Sequence, residues 1–224
     1  MERLVILGAC GNGLDVLDAV DAVNACEPRW EVIGFLDDGA APGTTFSGLP
    51  VLGGVEEAER LRGCVFVSAI GSDRTRALRP AIVARSGVPR ERFATVVHPT
   101  AAVSPRARLG GGVCVGACVS VGGGAVVKDF GWLGAGCIVG HDAVIGEHAV
   151  IAPGAVLSGF VRVGGCAYVG AGATVRQRLT VGKEALVGMG AVVVRDVPAG
   201  ETVVGSPARP LRAGGPGQGE RGVP

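Results

Sequence analysis

Aliphatic side chains recur every six residues between Val103 and Val193. Counting in sixes from Val103, all sixteen positions carry Val, Leu or Ile. Gly often follows the aliphatic residue, and the position four after it is usually Ala, Gly or Cys. A period of six is neither the roughly 3.6 of an amphipathic helix nor the roughly 2 of a half-buried strand. The pattern therefore predicts a repeat architecture.

Hexapeptide periods are typical of a parallel β-helix, in which short strands lie on the faces of a prism and each coil covers the one beneath it. The aliphatic residue is expected inside and the small residue where the chain bends, with Gly at strained backbone angles. Three hexads make one triangular coil, so the fifteen hexads predict five coils in which residues 18 apart stack. A disordered Gly/Ala-rich tract would show no such phase.

Before the repeat, the chain alternates short apolar runs with helical patterns. Residues 3–7 are aliphatic, residues 8–13 read GACGNG, and residues 14–25 carry a helical apolar stripe. This order predicts a strand, a Gly-rich turn and a helix whose N-terminus faces an anion. Residues 31–39 and 64–70 predict further strands, residues 54–63 and 74–87 predict helices, and residues 93–98 lead into the first coil.

The second strand ends in Asp37 and Asp38. An acidic residue there commonly faces a ribose or base, although two solvated loop carboxylates would give the same sequence. Three or four strands in about 95 residues make half a Rossmann fold, which fits one nucleotide better than a dinucleotide. The predicted domains are a Rossmann-like α/β domain at 1–98, a β-helix at 99–212 whose end folds back as a cap, and a mobile Gly/Pro-rich tail at 213–224.

Composition narrows the functional classes. The net charge of +1 and the lack of Lys/Arg runs argue against nucleic acid and anionic membranes as partners. No apolar run approaches the roughly 20 residues of a membrane span, and no secretory leader is evident. The seven cysteines include no CxxC pair, and those in the repeat are interpreted as core thiols of a reducing, cytoplasmic compartment: Cys114, Cys118, Cys137 and Cys166.

Five motifs together resemble a known family. The motifs that carry the resemblance are GACGNG at 8–13, FLDD at 35–38, AIGSD at 69–73, GHDAVIGE at 140–147 and VVGSPAR at 203–209. Through them the chain resembles the sugar O-acyl/N-acyltransferases of the sialic-acid and bacillosamine type. The resemblance implies a Rossmann-like nucleotide-sugar domain followed by a left-handed β-helix that uses acetyl-CoA. It also implies a homotrimer with active sites between neighbouring β-helices and a histidine general base.

Carried over residue by residue, the resemblance places the base on His141, its acidic neighbour on Asp142, and the amide that receives the acetyl carbonyl on Gly159. The 18-residue period independently puts Gly159 one coil above His141. The expected nucleotide-sugar residues are Gly11, Asn12, Gly13, Asp37, Asp38 and Gly71, with Gly134 on the acceptor side. Coenzyme A is expected near Gly170, Gly188 and Met189, with Arg176, Arg178, Lys183 and Arg209 as available cations.

Two positions depart from the amino-sugar N-acetyltransferases of this family. Asn12 stands where a His is expected, and Gly134 where an Asn is expected. The leading hypothesis is acetyl-CoA-dependent N-acetylation of a UDP- or dTDP-linked amino sugar, and the alternatives are O-acetylation of a sugar or sialic-acid-like hydroxyl and a non-catalytic nucleotide-sugar-binding scaffold.

The remaining histidines, His98 and His148, are interpreted as structural, with His98 near the acceptor as a second option. Only two histidines lie in the repeat, too few for a three-His zinc site within one chain, and no metal is predicted.

Overall fold

The computed structural model describes residues 1–211. The aliphatic run near the N-terminus forms a central parallel strand, because both of its neighbours in the sheet are also buried apolar strands. The elements of this part are β1 (Glu2–Leu7), α1 (Gly11–Cys26), β2 (Trp30–Leu36), β3 (Thr45–Phe46), β4 (Leu49–Gly53), a 3-10 helix (Val55–Arg60), β5 (Cys64–Ser68), a 3-10 helix (Arg76–Leu78), α2 (Arg79–Arg85) and a 3-10 helix (Arg90–Arg92).

The N-terminal sheet has the strand order β3-β4-β2-β1-β5, and only the two-residue β3 is antiparallel to its neighbour. The helix predicted at 54–63 is a six-residue 3-10 helix, because glycines at both ends leave too few residues for a stable α-helix. The helix predicted at 74–87 is a 3-10 turn followed by the short α2, which has Pro80 in its first turn.

The hexads form the predicted prism. Its strands are β6 (Val96–Val97), β7 (Ala102–Val103), β8 (Arg108–Leu109), β9 (Cys114–Val115), β10 (Ser120–Val121), β11 (Val126–Val127), β12 (Trp132–Leu133), β13 (Ile138–Val139), β14 (Val144–Ile145), β15 (Val150–Ile151), β16 (Val156–Leu157), β17 (Arg162–Val163), β18 (Tyr168–Val169), β19 (Thr174–Val175), β20 (Thr180–Val181), β21 (Leu186–Val187), β22 (Val192–Val193), β23 (Thr202–Val204) and β24 (Arg209–Pro210).

Strands pair in parallel with partners 18 residues away, such as Val121 with Val139, and stack into three sheets of six, five and eight strands. The aliphatic residues of the hexads and most of the small residues four positions later fill one continuous interior. The predicted left-handed β-helix is confirmed. At its end, β23 continues one sheet in parallel and β24 returns antiparallel to β23.

The segment that leads into the first coil connects the two sheets. Only Val96 and Val97 of the 93–98 segment form a strand, and this strand pairs with β9 of the prism rather than with the N-terminal sheet. Phe93 makes an isolated bridge to Phe66 of β5. The same segment therefore ends one sheet and begins the other, so the two parts share a continuous chain of hydrogen bonds.

The three corners of the prism hold columns of residues with left-handed backbone. Corner A, which faces the N-terminal part, contains Gly112, Phe130, His148, Cys166 and Glu184; corner B contains Cys118, Gly136, Gly154, Gly172 and Gly190; corner C contains Gly124, Asp142, Phe160 and Arg178.

The expectation of four core thiols is wrong for Cys118, which is exposed at corner B. Cys118 and Cys166 both lie three residues after a hexad aliphatic, a corner position, but Cys166 lies at corner A, against the N-terminal part, and is buried.

Arg79 of α2 joins the N-terminal part to corner A. It is 2% exposed and donates hydrogen bonds to the carbonyl oxygens of Phe130 (3.0 Å) and His148 (2.5 Å). The His148 ring stacks on Phe130 with centroids 4.7 Å apart. Burial, together with the nearby Arg79 charge, lowers the pKa of His148 to about 4. The contacts of His148 are therefore those of a packing residue. Among residues 1–211, no helix is long and apolar enough to cross a membrane.

Candidate active site

His141 lies in the turn that follows β13, at corner C, and its side chain is 62% exposed. The next residue, Asp142, has a φ of 57°, a left-handed conformation that Asp tolerates better than most residues. This conformation turns the carboxylate toward the imidazole, and Asp142 Oδ2 lies 2.9 Å from His141 Nδ1. A hydrogen bond at Nδ1 leaves the lone pair on Nε2, so the outward nitrogen is the one able to accept a proton.

Gly159 covers this nitrogen from the coil above. A Cβ atom on Gly159 would lie 2.5 Å from Nε2 and 2.7 Å from Cε1 of His141. The φ of Gly159 is outside the left-handed region, so the requirement for glycine comes from the imidazole rather than from the backbone. Within residues 1–211 the Gly159 N–H donates to no acceptor. The predicted stacking of residues 141 and 159 therefore brings a proton acceptor and a free amide donor to the same point.

An aromatic ring completes the surroundings of His141. Phe160 lies edge-to-face with the imidazole, with centroids 5.0 Å apart and planes at 86°. The guanidinium carbon of Arg178, one coil higher, is 4.3 Å from the Phe160 centroid. The sequence interpretation missed Phe160. The 18-residue spacing could have indicated Phe160, because it puts residues 142, 160 and 178 in one column of the prism.

The predicted nucleotide loops come together at the carboxyl ends of β1, β2 and β5. Asn12 Nδ2 donates to the carbonyl oxygen of Gly71 (3.2 Å), and the Ala9 N–H donates to Asp37 Oδ2 (2.8 Å). Gly13 is required for close approach, since a Cβ there would lie 2.5 Å from the Gly8 oxygen. α1 starts at Gly11, and no side chain of the described residues caps it, so its first N–H groups are available to an anion.

The contacts of Asp38 differ from those of Asp37. One oxygen of the Asp38 carboxylate accepts the Val55 N–H at 2.9 Å, and the other pairs with Arg85. These contacts join the end of β2 to the 3-10 helix that follows β4 and to the last residue of α2. The structure thus groups Gly11, Asn12, Gly13, Asp37 and Gly71, while Asp38 makes contacts within the fold.

A cavity of about 300 Å³ lies between α1 and corner B. Its lining includes Trp132, Gly134, His98 and Asp15, and the pKa of Asp15 is raised by partial burial and by the nearby Asp18. A Cβ on Gly134 would lie 2.7 Å from the Pro153 nitrogen of the next coil, so a side chain there would require a local shift of the backbone. Asp15 and Trp132 were not identified from the sequence.

The residues expected near coenzyme A do not lie together in one chain. The turns of corner B contain Gly170, Gly188 and the 82% exposed Met189. Most left-handed positions of this corner are glycines, so few side chains project from it. Lys183 lies at corner A and is 3.3 Å from Glu184, and Arg209 lies in the exposed β24. His141 is on corner C. Within residues 1–211 there is no cluster of three or more potential metal-ligating side chains.

The β-helix, the Gly-rich βα loop and the exposed His–Asp pair on a corner define the class of hexapeptide-repeat acyltransferases. Residues 3–79 match the family model described as the PglD N-terminal domain, and residues 132–159 match the bacterial transferase hexapeptide (six repeats). No curated protein gives a significant match to the sequence.

Solved structures resemble nearly the whole chain. The acetyltransferase domain of PglB from Neisseria gonorrhoeae FA1090 is 34% identical, with 94% of this chain and 100% of that chain covered and a TM-score of 0.81. PerB from Caulobacter crescentus, in complex with CoA and GDP-perosamine, is 31% identical over 95% of this chain and 98% of that one, with a TM-score of 0.81.

WeeI from Acinetobacter baumannii AYE is 29% identical over 94% of this chain and 100% of that one, with a TM-score of 0.74. The chain belongs to the sugar O-acyl/N-acetyltransferase family, whose members join a PglD-type N-terminal domain to hexapeptide repeats, and it is an acyltransferase.

Proposed function

We propose that the protein transfers an acetyl group from acetyl-CoA to the amine of a nucleotide-linked amino sugar. The observation that carries the proposal is the placement of His141 Nε2 directly beneath Gly159, with Asp142 at Nδ1. The similarity to PglB and to PerB, whose structure holds CoA and GDP-perosamine, supports the choice of both substrates.

In the proposed mechanism the sugar amine attacks the thioester carbonyl. The amine must lose a proton as the tetrahedral intermediate forms, and His141 Nε2 accepts it. Asp142 keeps the other proton on Nδ1 and stabilises the imidazolium. The Gly159 N–H donates to the developing oxyanion, and collapse of the intermediate breaks the C–S bond. The imidazolium then protonates the departing thiolate, which restores the neutral base and releases coenzyme A.

The nucleotide is proposed to occupy the edge formed by Gly11, Asn12, Gly13, Asp37 and Gly71. The uncapped start of α1 offers N–H groups and the positive end of the helix dipole to phosphates. The two oxygens of Asp37 accept the Ala9 N–H and the Gly39 N–H, so its proposed contribution is to shape the loop around the nucleotide.

The assembly is proposed to be a homotrimer. His141 on corner C and the residues expected along the pantetheine arm on corner B (Gly170, Gly188 and Met189) lie on different corners of one prism, so a site containing both needs corner B of a second copy. Lys183 and Arg209 are proposed to contact the phosphates of coenzyme A. The proposed domains remain 1–98 and 99–212, and both the last residue of the second domain and the tail predicted at 213–224 lie outside the described residues.

O-acetylation is a second candidate. Gly134 and Asn12 replace the two acceptor-side residues expected for amine substrates, and a side chain at residue 134 would require a shift relative to Pro153. The same base and amide donor would activate a hydroxyl.

The test is turnover by the purified full chain with acetyl-CoA and a panel of UDP-, dTDP- and GDP-linked amino sugars, matched hydroxyl sugars and free sugars. Release of the coenzyme A thiol and the mass of the product separate N- from O-acetylation. His141→Ala is expected to lower kcat by about 10²–10⁴-fold. Full activity of this variant would eliminate His141 as the base, and no turnover of any sugar by the wild type would favour a binding scaffold.

A further inference from the structure

The residues of corner C beyond Asp142 are unusual for their backbone conformation. Phe160 has a φ of 62° and Arg178 a φ of 61°, in a region where bulky side chains are rare. At corner A the bulky left-handed residues Phe130 and His148 are covered by the N-terminal part. Within residues 1–211 of one chain Phe160 has no such cover, and the residue is 38% exposed. Packing within one chain therefore does not account for the phenyl ring.

The contacts of Phe160 point to His141 instead. Its N–H donates to the His141 carbonyl oxygen (2.9 Å), and its ring meets the imidazole edge-to-face at 5.0 Å. Arg178 lies on the Phe160 ring, and the Arg178 N–H donates to the Gly159 carbonyl oxygen (3.1 Å). The three side chains thus form a continuous stack along corner C.

We propose that Phe160 is a positioning residue that holds the His141 imidazole beneath the Gly159 amide, and that Arg178 holds the Phe160 ring in turn. This inference rests on the proposed role of His141 as the base. A 62% exposed imidazole has few packing partners to fix its rotamer. Asp142 fixes one ring nitrogen, but a single hydrogen bond allows the ring to pivot about that contact. The perpendicular phenyl ring limits this pivot, so Nε2 stays directed toward the reacting amine.

Substitutions at Phe160 separate this role from a structural one, because the two roles predict opposite effects. Glycine adopts a left-handed conformation without strain, so Phe160→Gly is expected to keep or raise Tm. The same change is expected to lower kcat about three- to tenfold, the effect of losing one aromatic pair. The KM for acetyl-CoA is expected to stay within about twofold, since no binding group is removed.

Three further variants complete the experiment. Phe160→Tyr keeps the aromatic ring, so its kcat is expected to equal that of the wild type. Glu184→Gly makes the same backbone change at corner A, away from His141, and is expected to leave kcat unchanged. Arg178→Gln is expected to lower kcat in the same direction as Phe160→Gly. In the His141→Ala background, Phe160→Gly is expected to cause no additional loss, because the ring acts through the imidazole.

The inference is overturned if Phe160→Gly retains wild-type kcat, if Phe160→Tyr is as slow as Phe160→Gly, or if Glu184→Gly shows the same loss. An increase in the KM for acetyl-CoA without a change in kcat would identify corner C as a coenzyme-binding surface instead and would also overturn it. If His141→Ala is fully active, the proposed base itself fails. If His141→Ala is inactive while Phe160→Gly is normal, only the positioning role fails.

Discussion

Replacing Gly159 with alanine adds one methyl group at the point where the imidazole and the free amide meet. The new Cβ would lie 2.5 Å from Nε2, 2.7 Å from Cε1 and 3.0 Å from Cδ2 of His141. Non-bonded carbon contacts are normally about 3.5 Å or longer, so the ring must move by about 1 Å. Because the His141 side chain is exposed, it can move at little cost to the fold.

The expected result is therefore a catalytic defect without a stability defect. A displacement of about 1 Å in a reacting group costs on the order of 10²-fold in rate, which corresponds to about 2.7 kcal/mol in the activation free energy. Steady-state measurement of coenzyme A thiol release gives kcat, and thermal unfolding gives Tm, which is expected to remain close to that of the wild type. Alanine is compatible with the backbone at residue 159, whose φ is not left-handed.

Gly123 provides the matched control. It lies one coil below His141 in the same column, and a Cβ there would meet only Ser104 Oγ at 3.6 Å, an ordinary contact. Gly123→Ala is expected to retain kcat within about twofold. If Gly159→Ala were as active as Gly123→Ala, the imidazole would not lie beneath residue 159 during turnover, and the proposed arrangement of base and amide would be refuted.

Three other outcomes follow from contacts of the same structure. Asp142→Asn keeps the left-handed turn but cannot stabilise the imidazolium, so kcat should fall about 10- to 100-fold at unchanged Tm. Burial lowers the pKa of His148 from 6.5 to about 4. Between these two pH values the unfolded chain binds more protons than the folded chain, so the free energy of unfolding falls as the pH drops. His148→Asn should therefore make Tm less dependent on pH in this range. Arg79→Met leaves the Phe130 and His148 carbonyl oxygens without their hydrogen-bond donor, and calorimetry should show a free energy of unfolding lower by about 3 kcal/mol. An unchanged unfolding transition would show that other contacts hold the N-terminal part to the prism.

The β-helix could be predicted in detail because its period appears directly in the sequence. Each hexad aliphatic position faces the interior of the prism, so the interior, the strands and the 18-residue stacking followed from counting. The stacking of His141 and Gly159 followed in the same way. Cys118 was misplaced because the burial of a corner residue depends on which corner it occupies: Cys166 has the same offset within the hexad but lies at corner A, against the N-terminal part, and is buried.

The N-terminal part was less predictable, since its site depends on side-chain contacts between distant segments. The spacing of Asp37 and Asp38 does not show that one carboxylate faces the Gly-rich loop while the other binds Val55 and Arg85. The role of Phe160 was hidden for a related reason. Corner positions accept many residue types, so the sequence shows which residues stack but not which of them contact the imidazole.

The constant rise of the prism also governs how this enzyme tolerates changes in length. Residues 141 and 159 occupy the same edge because one full coil separates them. Adding a complete 18-residue coil after the turn that follows β16 would leave that vertical relationship intact, whereas inserting one residue between β13 and β16 would move the upper amide away from the lower imidazole. The turns between these two residues are therefore where a single-residue indel would be least tolerated.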